Sequence, residues 1–417
     1  MKILVYPHDL AIGGSQLNAI ELASAVKALG HDVAVYGQPG PLVDRVHELG
    51  LEFIPSPAVH RRPTPGVVRH LRRTVKQRGF DVVHAYEWPP ALESALACAG
   101  RGGAAATATV MSMSVAPFIP NNMPLLVGTE QILAAEKARG RGRAALLEPP
   151  VDTVLNAVSD DSRPDAFLAG LGTSKDVFTV SIVSRLAHQM KLEGILCAIT
   201  AVERLNATLP VQLIIAGDGP ARAEVEQAAR AANHALGTTR IILAGELDDP
   251  RPAYACADVS IGMGGSALRA MAFELPLIVQ GESGYWQLLD KSSVQTFLWQ
   301  GWYGVGSGSE GAVDRLMIIL ERLATSPRLC AQLGQFSRTL VCERFSLEVA
   351  AHKQLEFYKE ALEFAPAGPL DELRHSTLAA GRFLNYKATQ FKAKLVGRYS
   401  LDDFNATPVA VAEQVKR

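Results

Sequence analysis

Arg185 and Lys191 stand in the segment S-R-L-A-H-Q-M-K, directly after an apolar run, and glycine turns recur elsewhere in the chain at comparable places. Gly13 and Gly14 follow the first apolar run, Gly217 and Gly219 follow V-Q-L-I-I-A, and Gly264-Gly265-Ser266 follow V-S-I-G-M. A glycine turn lets the backbone approach a ligand, and a helix N-terminus behind it presents unpaired N–H groups to an anion. Two fixed cations beside such amides suit a diphosphate. Either cation alone reads as ordinary surface charge, and a double glycine at a strand-to-helix corner is common. Four features of this kind at strand ends point further. The opening turn lacks the full G-x-G-x-x-G spacing, so neither a nicotinamide nor a flavin cofactor is expected.

The elements that must position these residues read as strands alternating with helices. Residues 2–6, 33–36, 51–55, 81–86, 105–111, 124–128 and 144–147 form short apolar runs. Between them, apolar residues recur at helical spacing, as at Leu17, Ile20, Val26 and Leu29. A second alternating block begins at residue 177, with strands at 177–186, 211–216, 241–244 and 277–279 and a further strand expected near 296–299. Such alternation implies parallel sheets covered on both faces, with ligands at the carboxyl ends of the strands. The pattern breaks at residues 148–150 and 160–175, which read as a linker carrying a short helix. The expected domains are 1–155, 156–345, a helix at 346–364 and a basic helical tail over 365–417.

Composition bounds the function classes. The chain has 417 residues, is 48% hydrophobic, and balances 41 Lys and Arg against 42 Asp and Glu. A net charge of −1 supplies no global attraction to nucleic acid, and none is expected as a partner. The five cysteines are scattered, without C-x-x-C or metal-ligand spacing, which suits a reducing compartment. No run approaches the roughly 20 apolar residues needed to cross a bilayer, so a cytoplasmic protein is expected.

The runs V-S-I-V-S-R-L-A-H-Q-M-K-L-E-G, L-I-I-A-G-D-G-P, I-I-L-A-G-E-L and A-D-V-S-I-G-M-G-G-S-A-L-R-A-M-A-F-E-L-P-L-I-V, in this order, resemble the nucleotide-sugar-dependent glycosyltransferases of family four. The opening G-G-S-Q-L-N-A-I-E-L-A resembles that family's first glycine loop and helix. The resemblance runs over residues 1 to about 362 and is strongest over 177–280. It implies a GT-B fold, two Rossmann-like domains facing each other across a cleft, and a retaining transfer of a sugar from a nucleoside diphosphate to an acceptor hydroxyl.

The resemblance also implies roles. Arg185 and Lys191 match the pair that neutralises the donor diphosphate as the leaving group gathers charge. Gly13 and Gly14 match the glycine loop that closes on the donor, and Ser15 and Gln16 positions facing the acceptor. His84, with Glu87 beside it, matches a histidine near the active site. Gly217 lies in a donor loop, Glu246 and Leu247 where the base is read through backbone atoms, and Gly264, Gly265 and Ser266 under the diphosphate and sugar. No metal is implied, since no aspartate-rich cluster accompanies the diphosphate loop.

The sequence departs from the family's pattern at three positions. Two glutamates eight positions apart are replaced by Ile261 and Arg269, and a common histidine by Met111. Isoleucine cannot hydrogen-bond a sugar and arginine only donates. Arg269 is therefore expected to touch the diphosphate itself or to pair locally. These departures motivate an alternative, a non-catalytic binding or partner subunit; an epimerase of the same fold fits the motif order less well. Two basic stretches, one with Arg61, Arg62, Arg69, Arg72, Arg73, Lys76 and Arg78, the other over 372–398, read as solvated faces. The competing expectation is peripheral docking on the inner face of an anionic membrane, suited to a lipid-linked acceptor.

Overall fold

The computed structural model describes residues 1–59, 62–100, 103–158, 164–363 and 369–395. The expectations for Arg61, for residues 160–163 and 365–368, and for the tail beyond residue 395 lie outside these. The chain forms two compact units, residues 1–149 with the segment from 347 onward, and residues 150–346.

In the first unit, β1 (Lys2–Tyr6), α1 (Gly14–Ala28), β2 (Asp32–Gly37), α2 (Val43–Glu48), β3 (Glu52–Pro55), α3 (Pro65–Arg78), β4 (Val82–Tyr86), α4 (Trp88–Cys98), β5 (Ala105–Val110), β6 (Leu125–Val127), α5 (Glu130–Ala138) and β7 (Ala144–Leu146) alternate. The seven strands pair in the order β3-β2-β1-β4-β5-β6-β7, all parallel. Central strands such as β4 are buried along their length, which is why they read as continuous apolar runs. Local signals set the helix ends. Pro65 opens α3 and Gly79, at φ +66°, closes it; the Thr129 hydroxyl accepts the Ile132 N–H at 3.2 Å to cap α5, a contact of about 1 kcal/mol.

The second unit holds α6 (Pro164–Gly170), β8 (Phe178–Val183), a π-type turn (His188–Leu192), α7 (Glu193–Leu205), β9 (Val211–Ala216), α8 (Arg222–Leu236), β10 (Ile241–Gly245), α9 (Arg251–Ala255), β11 (Val259–Gly262), α10 (Gly265–Ala272), β12 (Leu277–Gln280), β13 (Trp286–Leu288), α11 (Val294–Gln300), α12 (Ala312–Ala324) and α13 (Pro327–Arg344). Its sheet runs β10-β9-β8-β11-β12-β13. Five strands are parallel and β13 pairs antiparallel with β12.

The strand expected near residues 296–299 is helix instead. Val, Thr, Phe and Trp favour strands, but Asp290 accepts the N–H groups of Ser292 and Ser293 at 2.8 and 3.0 Å and starts a helical turn. Phe297, buried, then stacks on Trp302. The strand of this region is β13.

α14 (Leu347–Glu363) returns to the first unit, where Ala350, Ala351, Leu355 and Tyr358 are buried in the core that includes Ile20 and Leu22 of α1. α15 (Pro369–Leu395) follows, with Phe383 and Tyr386 packed on Trp88 and Phe118. No helix among the described residues is long and apolar enough to cross a membrane.

Candidate functional site

Sheet order in the second unit brings the residues expected on the donor side to adjacent strand ends. β10, β9, β8 and β11 are neighbours in that order, and their carboxyl ends lead into Glu246 and Leu247, Gly217, Arg185, and Gly264 to Ser266 respectively. Backbone bonds hold the loops together: Gly217 N–H to the Gly245 carbonyl at 2.7 Å, Leu186 N–H to Asp218 at 2.9 Å and Ala221 N–H to Leu186 at 2.9 Å. Gly217 sits at φ +139°, and a Cβ there would strike the Ser184 carbonyl. Glycine is thus required where the β9 loop crosses the β8 loop.

The cations differ in environment. The Arg185 side chain is exposed, and Lys191 is half-buried after Met190, which adopts φ +63°. Neither has a hydrogen bond or ion pair to another described residue, whereas neighbouring His188 is tied to Glu224 at 3.1 Å. Burial without a partner pushes the Lys191 ammonium down to about 8, because desolvation penalises its charged form.

Gly264 adopts φ +56° at the head of α10, donating its N–H to the Trp302 carbonyl at 2.8 Å. Gly264 and Gly265 are exposed, and the Ser266 hydroxyl closes the turn by accepting the Met263 N–H at 3.2 Å. Arg269, half-buried and without a described partner, reaches back so that its guanidinium lies 3.6 Å from where a Gly265 Cβ would be. Ile261 is fully buried within β11 and belongs to the core.

Sequence reasoning missed a fifth strand end. The loop after β12 is pinned by Glu193, the first residue of α7, which accepts the Ser283 and Gly284 N–H groups at 3.0 and 2.9 Å and the Ser309 hydroxyl at 2.5 Å. The Glu282 carboxylate accepts the Tyr303 hydroxyl. An acid directly behind the Lys191 segment was the available signal, but its partners lie about ninety residues or more further along the chain.

In the first unit, Glu87 gathers three loops. It adopts φ +66° after β4 and is buried. Its carboxylate accepts the Ser15 hydroxyl at 3.0 Å, the Met111 N–H at 3.0 Å and the Ser112 hydroxyl at 2.7 Å. Gln16 instead donates to Asp9 at 2.9 Å, a residue sequence reasoning passed over. Gly13 caps α1 and Gly14 begins it, with open space where a Gly14 Cβ would stand.

His84, expected near the active site with Glu87 beside it, lies within β4 and away from solvent. It is fully buried in β4, with Nδ1 on the Tyr358 hydroxyl and Nε2 at 2.6 Å from Thr109 Oγ1. Desolvation pushes its pKa down to about 3. Among the described residues, no three His, Cys, Asp or Glu side chains gather in a group that could hold a metal ion.

Two parallel-sheet α/β units, the second with glycine loops and free cations along its strand ends, are the build of a GT-B glycosyltransferase. The Glycosyltransferase Family 4 model matches residues 12–120, and the Glycosyl transferases group 1 model matches residues 177–296. The two matches together span more than half of the chain, which belongs to these glycosyltransferases. It is 27% identical over 274 residues to a phosphatidyl-myo-inositol mannosyltransferase of Mycolicibacterium smegmatis, covering 62% of this chain and 68% of that protein. Among solved structures, a glycosyltransferase from Rickettsia africae superposes with a TM-score of 0.67 at 15% identity, over 87% of this chain and 99% of that one. Anabaena HepE in complex with UDP superposes with a TM-score of 0.64 at 15% identity, over 86% and 100% of the two chains.

Proposed function

We propose that the chain moves a sugar from a nucleoside diphosphate sugar to an acceptor hydroxyl with retention of configuration. The observation that carries this reading is the row of strand ends in the second unit, where Arg185 and Lys191 have no described ion-pair partner and the exposed Gly265 begins α10 after the neighbouring strand. A diphosphate fits that vacancy of negative charge, with the sugar beyond it and the base at the backbone of Glu246 and Leu247. Solved neighbours of the fold are complexes with UDP and with UDP-glucose, and the mannosyltransferase relative makes a hexosyl donor the reading to test first.

In the reaction, the bond between the anomeric carbon and the diphosphate oxygen breaks and charge accumulates on the leaving phosphate. Arg185, Lys191 and the α10 amides stabilise that charge more in the transition state than in the bound donor. The acceptor oxygen forms its bond on the face the diphosphate leaves, and the acceptor proton passes to the departing phosphate oxygen. No cofactor is invoked beyond the donor as co-substrate. The first unit would hold the acceptor, with Ser15 and Gln16 facing it and Glu87 fixing their loop. His84 acts in this scheme as a core residue beneath that loop.

The test is a panel of nucleoside diphosphate hexoses scored by slow donor hydrolysis, then turnover of Lys191→Ala on whichever donor reacts. A loss of at least about 100-fold is expected, the scale of removing one charge-stabilising donor. Near-normal turnover in that variant would overturn the assignment.

A further inference from the structure

A second concentration of uncompensated positive charge lies in the first unit, away from the strand ends described above. A cavity of about 260 Å³ opens between α15 and the segments that precede β6 and β7, at the amino-terminal ends of those strands. Arg139, Arg374, His375 and Arg382 line it, together with the apolar walls Ile119 and Leu378. Its floor is rigid. Arg141, 1% exposed, donates to the Pro120 carbonyl at 2.6 Å, to the Ile119 carbonyl at 2.9 Å and to Glu136 at 3.1 Å.

The charges do not balance. Glu136 already accepts from both Arg139, at 2.6 Å, and Arg141. Among the residues whose side chains are described, it is the one carboxylate seen to bond to the lining, against four guanidinium groups, while Asp371 and Glu372 precede Arg374 in the sequence. Arg382 spends one nitrogen on the Pro117 carbonyl at 3.1 Å, and Arg374 is exposed with no described partner. Arg139 and Arg382 both repel the Arg141 charge beneath them, so the like charges feel one another. Guanidinium forks around a small preformed cavity are suited to tetrahedral oxyanions, which they bind through charge-assisted hydrogen bonds.

We propose that this cavity binds a phosphate-bearing ligand through Arg374 and Arg382, with Arg139 as the third cation. A free phosphorylated molecule and a phospholipid headgroup present the same chemistry to it, and the sequence around it fits either. From residue 371 to 403 the chain carries six Lys and Arg against four Asp and Glu, the acids confined to the two ends of that stretch.

Inorganic phosphate is the first probe, followed by 31P line broadening at constant ionic strength with chloride as the balancing ion. The Arg185→Gln/Lys191→Gln protein serves as the starting material, so that phosphate at the proposed donor site does not contribute. Saturable binding is expected there, weakened at least about tenfold when Arg374→Gln and Arg382→Gln are added. Sedimentation with phosphatidylcholine vesicles containing phosphatidylglycerol separates the sources. Binding to those vesicles that excess phosphate reverses identifies a headgroup, and phosphate binding without vesicle binding identifies a soluble ligand. Absence of both, or affinities unmoved by the two substitutions, overturns the proposal. Both arginines are exposed, and an unchanged thermal midpoint in Arg374→Gln alone shows that a loss is not misfolding.

Discussion

His84 and Tyr358 are hydrogen-bonded in the first unit although 274 residues separate them. The Tyr358 hydroxyl also accepts the Gln354 amide at 2.7 Å, and the other imidazole nitrogen, Nε2, is occupied by the Thr109 hydroxyl. The imidazole is held neutral by this chain and by burial. With the folded pKa near 3 against 6.5 unfolded, the unfolded state binds one more proton between those values. Stability is therefore fully present above pH 6.5 and falls as pH drops toward 3, by about 2 kcal/mol between pH 6.5 and 5. His84→Gln keeps an acceptor and a donor but cannot titrate. Urea unfolding should show that share of the acid sensitivity gone, with turnover changed only a few-fold. A loss of turnover of 100-fold or more in a stably folded variant would instead make His84 a site residue.

If Lys191 holds the donor diphosphate as proposed, donor binding should be sensitive to alkali. Free, its ammonium loses its proton as pH rises through about 8. A bound diphosphate raises that pKa, so binding takes up a proton above pH 8 and affinity falls by up to about tenfold per pH unit until the bound group titrates too. Calorimetry of nucleoside diphosphate binding at pH 8.5, in two buffers of different ionisation enthalpy, should report that uptake. Lys191→Arg, whose guanidinium does not titrate here, should bind without it.

The two-unit α/β architecture was legible because strands buried on both faces, such as those at residues 2–6 and 211–216, leave uninterrupted apolar runs. That the proposed donor residues would fall at strand ends was legible because each follows such a run. What escaped was set by distance along the chain or by brevity. Three-residue β13 is too short to alternate, and its antiparallel pairing comes from the turn at residues 281–285. The helix at residues 294–300 is made of strand-favouring residues overridden by the Asp290 turn. Glu193 and Asp9 act through partners that only folding supplies. The burial of His84 was not legible because a histidine late in a strand looks the same whether its strand end opens to solvent or packs beneath α14.

Two glycines assigned to the donor should fail in opposite ways. Gly217→Ala forces a Cβ against the Ser184 carbonyl at a backbone angle of +139°, which displaces the loop carrying Arg185. The expected cost is about 1–3 kcal/mol of stability, with loss of donor binding. Gly14 sits in the first turn of α1 with nothing within 4 Å of its Cβ direction. Gly14→Ala should leave stability unchanged or raise it by about 0.4–1 kcal/mol. If a donor phosphate or sugar approaches that backbone, turnover should nonetheless drop sharply. Full activity in Gly14→Ala would remove Gly14 from the site.

Arg269 places a cation where the helix field is unfavourable to one. α10 begins at Gly265, and the Arg269 guanidinium reaches back to 3.6 Å from that residue's Cβ position, over the exposed amides of the helix N-terminus. Positive charge there opposes the partial positive charge of the helix end, at a cost of about 0.3–1 kcal/mol with no described carboxylate to offset it. Removing the charge by Arg269→Gln should therefore stabilise the free protein slightly in thermal unfolding. The same substitution should weaken binding of the donor's nucleoside diphosphate about tenfold or more while leaving the bare nucleoside nearly unaffected, because a guanidinium above the α10 amides would meet phosphate oxygens. Equal losses for nucleoside and nucleoside diphosphate would place Arg269 at the ribose or base instead. The ratio of the two affinities thus decides whether this arginine serves the ribose or base or joins Arg185 and Lys191 as a third proposed phosphate ligand.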